Sequence, residues 1–261
     1  MKIQIARDAR PQVRTLLMAT ALAVALWFIP FAEILTYPFR IFVTFIHEGG
    51  HALAALLTGN EVHSLSVSMN GSGEVYSQNG GLLSQLFVSS AGYLGAMSFG
   101  ALLLLLIRRA FAARMVLVGS AALILVLTVV YGFFSPLAHG AMFSPFTIVA
   151  GGALFVGLVA LARYSSPRLA AFLVSFLAVQ CVLNAIFDLK NVLFLSTPFA
   201  PGVQTDAVNM ANATGIPAFF WALIWIGLAF LILSMTLRAY AVSKGSPSQQ
   251  DLPFEDSPLE V

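Results

Sequence analysis

Long apolar stretches alternate with short polar connections along this chain, and the alternation predicts a series of helices. A helix needs about 20 apolar residues to cross the hydrocarbon core of a bilayer. Seven stretches come close to that length, with bounds at about 15–37, 38–58, 82–107, 115–134, 142–162, 169–195 and 216–237. Prolines stand near four of the predicted starts, where a missing backbone N–H costs little: Pro38, Pro145, Pro167 and Pro217. The pattern predicts an all-α polytopic membrane protein of about six or seven transmembrane helices.

The connection between the second and third predicted spans has a different pattern. In "EVHSLSVSMNGSGEVYSQNGG" (residues 61–81), apolar or β-branched residues alternate with polar ones around Asn70 and Gly71. Alternation on both sides of an Asn-Gly pair is typical of a β-hairpin. Its open edges must face protein or water, because lipid cannot satisfy free backbone groups.

The two ends of the chain read differently from the region between them. Residues 1–14 form a basic segment, and residues 15–242 form the transmembrane domain. The first apolar run is too long for the hydrophobic region of a signal peptide and lacks a clear cleavage site, so we expect it to be retained. Residues 243–261 are polar, rich in Pro and Ser and acidic at the end. We predict that they form a disordered tail.

Composition supports a multi-pass integral membrane protein whose surroundings are the lipid bilayer. Hydrophobic residues make up 59% of the chain and charged residues only 9%, against about 25% charged in soluble domains. The net charge of +2 and the scattered basic residues exclude nucleic acid as an expected partner. The single cysteine, Cys181, excludes an internal disulfide and a cysteine-based zinc cluster.

The orientation in the membrane is ambiguous from sequence. Four basic residues argue for a cytoplasmic N-terminus: Lys2, Arg7, Arg10 and Arg14. With seven spans, that orientation places five arginines on the opposite side: Arg108, Arg109, Arg114, Arg163 and Arg168. Either one run does not cross fully, or the positive-inside rule fails here.

The second predicted span contains "FIHEGGHALAALLTG" (residues 45–59), which carries two of the four histidines of the chain. On a helix, His47 and His51 lie about 40° apart around the axis and about 6 Å apart along it, so both can reach one metal ion. Glu48 lies about 100° from His47, close enough to reach a water on that metal. Zinc acidifies such a water, and a carboxylate can accept its proton. The residues therefore indicate a Zn²⁺ hydrolase, since clustered ionisable groups are costly within a span.

A catalytic zinc usually has three protein ligands. We favour Asp188 as the third, late in the apolar run "CVLNAIFDLKNVLFL". Asn184 lies one turn earlier, where it can hydrogen-bond the carboxylate, the water or a substrate carbonyl. The alternative for Asp188 is an ion pair with Lys190 at a membrane boundary.

Other candidate ligands remain. Asp206 in "QTDAVNMANATG" is the second choice as the third ligand, although an Asp in a polar connection is often solvated or caps a helix. We expect Glu33 near an interface, and His63 and His139 facing water.

Two glycines inside the motif, Gly49 and Gly50, each cost up to about 1 kcal/mol in a helix relative to Ala. Close approach of a substrate backbone would offset that cost. Ordinary small-residue packing between spans would do the same.

These motifs resemble the site-2 protease family of intramembrane zinc metalloproteases over roughly residues 39–195. The resemblance implies that His47, His51 and Asp188 are zinc ligands and that Glu48 is the general base. It also implies that the hairpin near residues 62–76 pairs with an extended segment of a membrane-embedded protein substrate. As a mechanistic hypothesis, we expect an amide such as Asn184 or Asn191 to stabilise the oxyanion.

The chain departs from the family pattern at two places. The late motif is "NAIFDLKN", without the prolines and the glycine of N-x-x-P-x-P-x-L-D-G, so the chain resembles a divergent, B-like branch. "SSAGYLGAMSFG" (residues 89–100) resembles the family's Gly-Pro helix without its proline and asparagine. Gly92 and Gly95 would then serve close packing of spans.

Two other functions remain open. The cluster of His47, Glu48 and His51 could be the ion or proton relay of a transporter. The chain could also be a non-catalytic relative that binds membrane clients without cutting them.

Overall fold

The computed structural model of the protein describes residues 10–78, 80–108, 112–197 and 203–241. The predicted tail, 243–261, and the first nine residues of the basic segment lie outside the described residues. The helices are α1 (Arg10–Leu26), α2 (Ala32–Leu57), α3 (Leu82–Arg108), α4 (Ala113–Val126), α5 (Ser135–His139), α6 (Pro145–Tyr164), α7 (Pro167–Leu195), α8 (Asp206–Thr214) and α9 (Ala218–Ala241). The strands are β1 (Val62–Val67) and β2 (Gly73–Ser77). A π-helical segment, Leu127–Phe134, joins α4 and α5 into one continuous helix.

The prediction of an all-α multi-pass membrane protein with one small hairpin is confirmed. Among the described residues, five helices are long and apolar enough to cross a membrane: α3, the continuous helix 113–139, α6, α7 and α9. Helix α1 has 17 residues. Helix α2 carries the polar residues of the histidine motif, which lower its mean hydropathy. These two helices account for the two further runs expected from sequence.

The break between the first two helices differs from the prediction. It was expected at Pro38, but α2 continues through Pro38 and the break lies between Leu26 and Ala32. The cause is Pro30, because a proline lacks the backbone N–H and disfavours helical backbone in the residue before it. Phe31 then adopts a left-handed conformation with φ of 64°. The predicted spans 15–37 and 38–58 are therefore corrected to 10–26 and 32–57.

The hairpin is present where its alternation predicts it. Strands β1 and β2 pair antiparallel with Leu65 opposite Val75 and Val67 opposite Gly73. The turn contains Asn70 and Gly71, and Gly71 has a φ of 83°, which a side chain would disfavour.

Side chains of α2 fasten the hairpin turn. The Tyr37 hydroxyl donates to the carbonyl of Met69 at 2.6 Å, and Thr44 donates to the carbonyl of Gly71 at 2.8 Å. Arg40 of the same helix face donates to the carbonyl of Asn70. The turn is thereby held against the helix that carries the histidine motif.

The outer edge of β1 is satisfied by protein rather than left open. The Thr147 hydroxyl of α6 accepts from the backbone N–H of Val67 at 2.8 Å and lies 3.1 Å from its carbonyl oxygen. Ser135 of α5 donates to the carbonyl of Val62. This satisfies the requirement that a sheet edge near lipid must find partners.

Helices α2 and α3 pack at close range through glycines. A Cβ on Gly50 would lie 2.3 Å from the backbone oxygen of Ala91, and a Cβ on Gly95 would lie 3.4 Å from the Cα of Gly50. A Cβ on Gly49 would lie 2.8 Å from Leu127 of the π-helical segment. Packing between helices therefore accounts for both glycines of the motif.

The bundle has a basic end, defined by the arginines at the ends of its helices. Arg108 donates to the carbonyl of Tyr240 at 2.9 Å, so the ends of α3 and α9 meet. Arg114 donates to the carbonyl of Ser165, so the start of α4 meets the end of α6. Helix α1 runs parallel to α7, because its early residues share a cluster with Phe172 and Trp27 packs on Phe187 at 4.4 Å. The basic end therefore carries Arg10, Arg14, Arg108, Arg114, Arg163, Arg168 and Arg238.

Candidate metal centre and active site

Three donor atoms from two helices converge at one point. The Nε2 atoms of His47 and His51 lie 3.1 Å apart. Oδ2 of Asp206 lies 3.5 Å from His47 Nε2 and 3.3 Å from His51 Nε2. Neighbouring ligands at 2.0–2.1 Å from a tetrahedral zinc are about 3.3 Å apart. The spacing of the donor triangle therefore fits a zinc ion.

A backbone carbonyl of α3 fixes the orientation of the His51 ring. Its Nδ1 lies 2.6 Å from the carbonyl oxygen of Val88 on α3. A carbonyl only accepts hydrogen bonds, so Nδ1 carries the proton and the lone pair of Nε2 points at the donor triangle. This is the outer contact that metal-binding histidines commonly make.

Helix α3 also forms the wall behind the two imidazoles. A Cβ on Gly92 would lie 2.3 Å from His47 Nε2 and 2.5 Å from His51 Nε2. The next residue, Tyr93, packs its ring on His47 with centroids 4.6 Å apart. Gly92 therefore makes room for the donor atoms, beyond its expected part in helix packing.

Asp206 is placed by the short helix α8. Thr205 caps that helix by accepting from the N–H of Val208, and Ala207 and Met210 anchor it in the core. Burial alone would raise the pKa of Asp206, but the His51 and His47 imidazoles outweigh burial and hold this pKa below its ordinary value. The carboxyl group is therefore ionised, as a metal ligand must be.

The first-choice ligand, Asp188, lies in the same cavity but outside the donor triangle. Among the described residues, the group able to hold a metal here consists of His47, His51 and Asp206. Asp188 lines the cavity wall on α7. The alternative, an ion pair with Lys190, is not among the ion pairs of the described residues. The Lys190 ammonium lies 5.3 Å from the centre of the Phe187 ring. The geometry favours Asp206, the second choice from sequence, over Asp188 as the third member of the donor set.

Glu48 occupies the space between the donor triangle and the hairpin. Its side chain is only 4% exposed. A Cβ on Gly73 of β2 would lie 2.5 Å from Glu48 Oε1, so the strand approaches the carboxylate closely and a side chain there would displace it. This position suits a carboxylate that exchanges protons with a water at the metal.

The cavity in front of these residues has a volume of about 640 Å³. Its walls come from α2, the hairpin, α3, α7 and α8, and both expected amides, Asn184 and Asn191, line it. The Nδ2 group of Asn184 donates to the carbonyl and side-chain oxygens of Gln180, at 2.8 and 3.2 Å. Asn184 therefore offers its oxygen to the cavity, and its N–H groups are already used.

Strand β2 presents backbone groups to the same cavity. The N–H of Ser68 donates to the carbonyl of Ser72, and hydrogen-bonded pairs alternate with non-bonded pairs along an antiparallel ladder. The N–H and C=O groups of Gly73 and Val75 therefore point away from β1, and both residues line the cavity. The open edge of the hairpin faces the donor triangle.

Tyr93 and Asn209 also line the cavity, and neither has a role among the expectations from sequence. Tyr93 lies in an apolar run with no local signal of a role. Asn209 lies three residues after Asp206, on the same face of α8, so the i, i+3 spacing would have indicated it once Asp206 was chosen.

The peptidase M50B-like family model matches residues 16–236, which is most of the chain. The chain belongs to this family. Membership extends the resemblance to the site-2 proteases from residues 39–195 to α1 and α9, and it makes this M50B-like protein an integral membrane protein of a metallopeptidase family. Comparisons with curated proteins and with solved structures give no significant match.

Proposed function

We propose that this M50B-like protein is an intramembrane zinc metalloprotease that hydrolyses a peptide bond of a membrane-embedded protein. The observation that carries the proposal is the donor triangle of His47, His51 and Asp206, with the buried Glu48 beside it. A zinc ion held there supplies Lewis acidity, which polarises a carbonyl and makes water a nucleophile near neutral pH.

Glu48 acts as the general base. Its carboxylate accepts a proton from the attacking water and then donates that proton to the leaving amine. Burial between α2 and Gly73 keeps bulk water from competing for this proton.

The hairpin edge binds the substrate in an extended form. Gly73 and Val75 offer backbone groups with strand geometry, and a substrate strand that pairs with them exposes its peptide bonds to Glu48. A helical substrate must first unwind, because its backbone groups are paired within the helix.

The two asparagines of α7 have different roles. Asn191 donates its amide to the oxyanion, since no described hydrogen bond occupies it. Asn184 accepts from a substrate N–H through its oxygen, because Gln180 occupies its N–H groups.

The alternatives lack a comparable observation. A proton or ion relay needs polar groups distributed along a path, whereas His47, Glu48 and His51 line one cavity at one end of the bundle. A client-binding relative needs no converged metal ligands.

The test uses the purified full chain in nanodiscs with a pool of labelled single-span peptides. We expect wild type to cleave members of the pool with one tight equivalent of zinc. The variant Glu48→Gln keeps that zinc but loses cleavage by about 10²–10⁴-fold. Glu33→Gln, at an exposed acid on α2, is the control and cleaves normally. Normal cleavage by Glu48→Gln, or a zinc-loaded wild type that cuts no peptide, contradicts the proposal.

A further inference from the structure

The two histidines outside the active site also come together. His63 lies at the bulge in β1, and His139 is the last residue of α5. Their rings stack with centroids 4.3 Å apart and an angle of 14° between the planes. Each of the four histidines therefore belongs to a pair, although neither member of this second pair lies near the catalytic cavity.

An acidic residue completes this second pair. Oε2 of Glu61 lies 3.6 Å from His139 Nε2, and Gln78 holds the same carboxylate oxygen at 3.4 Å. The ligand atoms of Glu61, His63 and His139 all lie within 4.8 Å of one another. Two imidazoles and a carboxylate are a donor set suited to zinc and similar divalent ions rather than to magnesium or calcium.

His139 is oriented in the same way as the catalytic His51. Its Nδ1 lies 2.8 Å from the carbonyl oxygen of Ser135, so Nδ1 carries the proton. Nε2 then keeps its lone pair on the side of Glu61, whose Oε2 lies 3.6 Å away, while His63 stacks on the face of the ring. A ring fixed in this tautomer by a backbone carbonyl is a feature of metal-binding histidines.

We propose that Glu61, His63 and His139 form a second binding site for a zinc-like divalent cation, separate from the catalytic centre. His139 and Glu61 are 31% and 67% exposed in their side chains, so they have room to reorient, and coordination requires one imidazole to rotate out of the stack. The same exposure makes the site weaker than the buried catalytic one.

Occupancy of this site connects the base of the hairpin to the end of the helix 113–139. Glu61 and His63 belong to the start of the hairpin, whereas His139 ends α5. Among the described contacts, Ser135 already joins these elements through the carbonyl of Val62. A bound cation adds a second connection, and it thereby restrains the hairpin whose other strand faces the cavity.

The first experiment is a zinc titration of the full chain in nanodiscs, starting from metal-free protein. We expect two binding events in wild type, one tight and one weaker. The variants His139→Ala and Glu61→Gln weaken the second event at least tenfold and leave the tight event unchanged. His51→Ala removes the tight event and keeps the weaker one, so failure of the catalytic assignment is distinguished from failure of this site. Glu33→Gln serves as the charge-matched control and retains both events.

The second experiment measures hydrogen exchange in residues 61–67 and 135–139. Saturation of the weaker event slows exchange there in wild type but not in His139→Ala. A wild type that binds one zinc only, or a weaker event that persists in the double variant His63→Ala/His139→Ala, overturns the proposal.

Discussion

At the residue scale, two carboxylates of the same cavity, those of Asp206 and Asp188, are the candidates for the third metal ligand. Asp206 lies 3.3 and 3.5 Å from the histidine donor atoms, and Asp188 does not belong to that group. A carboxylate on the metal contributes charge and geometry that an amide does not reproduce.

We therefore predict opposite outcomes for the two conservative substitutions. Asp206→Asn weakens zinc binding by more than about tenfold, since even an outer contact to a metal ligand is worth that much. Asp188→Asn binds zinc like wild type. Competition with a chelating dye measures both affinities, and a loss of zinc confined to Asp188→Asn would reverse the assignment.

Gly92 and Gly95 of α3 allow a matched test of the wall that this helix forms behind His47 and His51. A Cβ on Gly92 would collide with both donor nitrogens, whereas a Cβ on Gly95 would meet only the Cα of Gly50, at 3.4 Å. We expect Gly92→Ala to lose stoichiometric zinc and Gly95→Ala to keep it. Zinc content after dialysis, with the melting temperature of each variant, checks this. Equal zinc content in the two would show that the wall does not constrain the ligands.

At the element scale, the hairpin depends on one threonine for its lateral attachment. Thr147 is fully buried, and its hydroxyl bonds both backbone groups of Val67. Thr147→Val keeps the shape of the side chain but leaves the backbone N–H and C=O of Val67 without this partner, which costs about 1–3 kcal/mol. The buried Thr236, which bonds only the carbonyl of Ile232 within its own helix, provides the control Thr236→Val. Thermal unfolding should show the larger loss for Thr147→Val, and faster hydrogen exchange confined to β1. Equal losses would show that the attachment adds no more stability than a hydrogen bond within one helix.

The elements that sequence predicts well are those specified by neighbouring residues. The spacing of His47 and His51 and the Asn-Gly turn of the hairpin are local, so the pattern contains the answer. The break at Pro30 was not predicted because the apolar run contains both Pro30 and Pro38, and hydrophobic periodicity does not show which of them ends a helix. The order of preference between Asp188 and Asp206 could not be set from sequence for a different reason. Asp188 and Asp206 are both distant from the motif, and only packing decides which of them reaches it.

At the scale of the whole molecule, the position of the arginines resolves the conflict over orientation. Since α1 runs parallel to α7, it ends at the opposite end from the arginines, where α3 begins. Helix α2 and the hairpin connect those two points. The five described helices that are long and apolar enough to cross have their arginines at the same end as those of α1, and the positive-inside rule assigns this basic end to the cytoplasm.

The two ends of α6 test this orientation. Met142, just before α6, is 93% exposed, and Tyr164, its last residue, is 85% exposed. On intact cells, a membrane-impermeant maleimide should label Met142→Cys, and it should label Tyr164→Cys only after permeabilisation. The native Cys181 is fully buried and gives little background. The reverse labelling pattern would place the catalytic cavity towards the cytoplasm.

The placement of Asp206 on a nine-residue helix outside the crossing helices links metal affinity to the seating of that helix. The free energy of zinc binding includes the free energy of docking α8 against α3 and α9, because the ligand arrives only with the helix. A bound peptide that displaces α8 lowers the affinity for zinc, and by reciprocity zinc lowers the affinity for that peptide by the same factor. A peptide that holds α8 in place raises the affinity for zinc. The measured affinity for zinc then reports whether a peptide occupies the cavity.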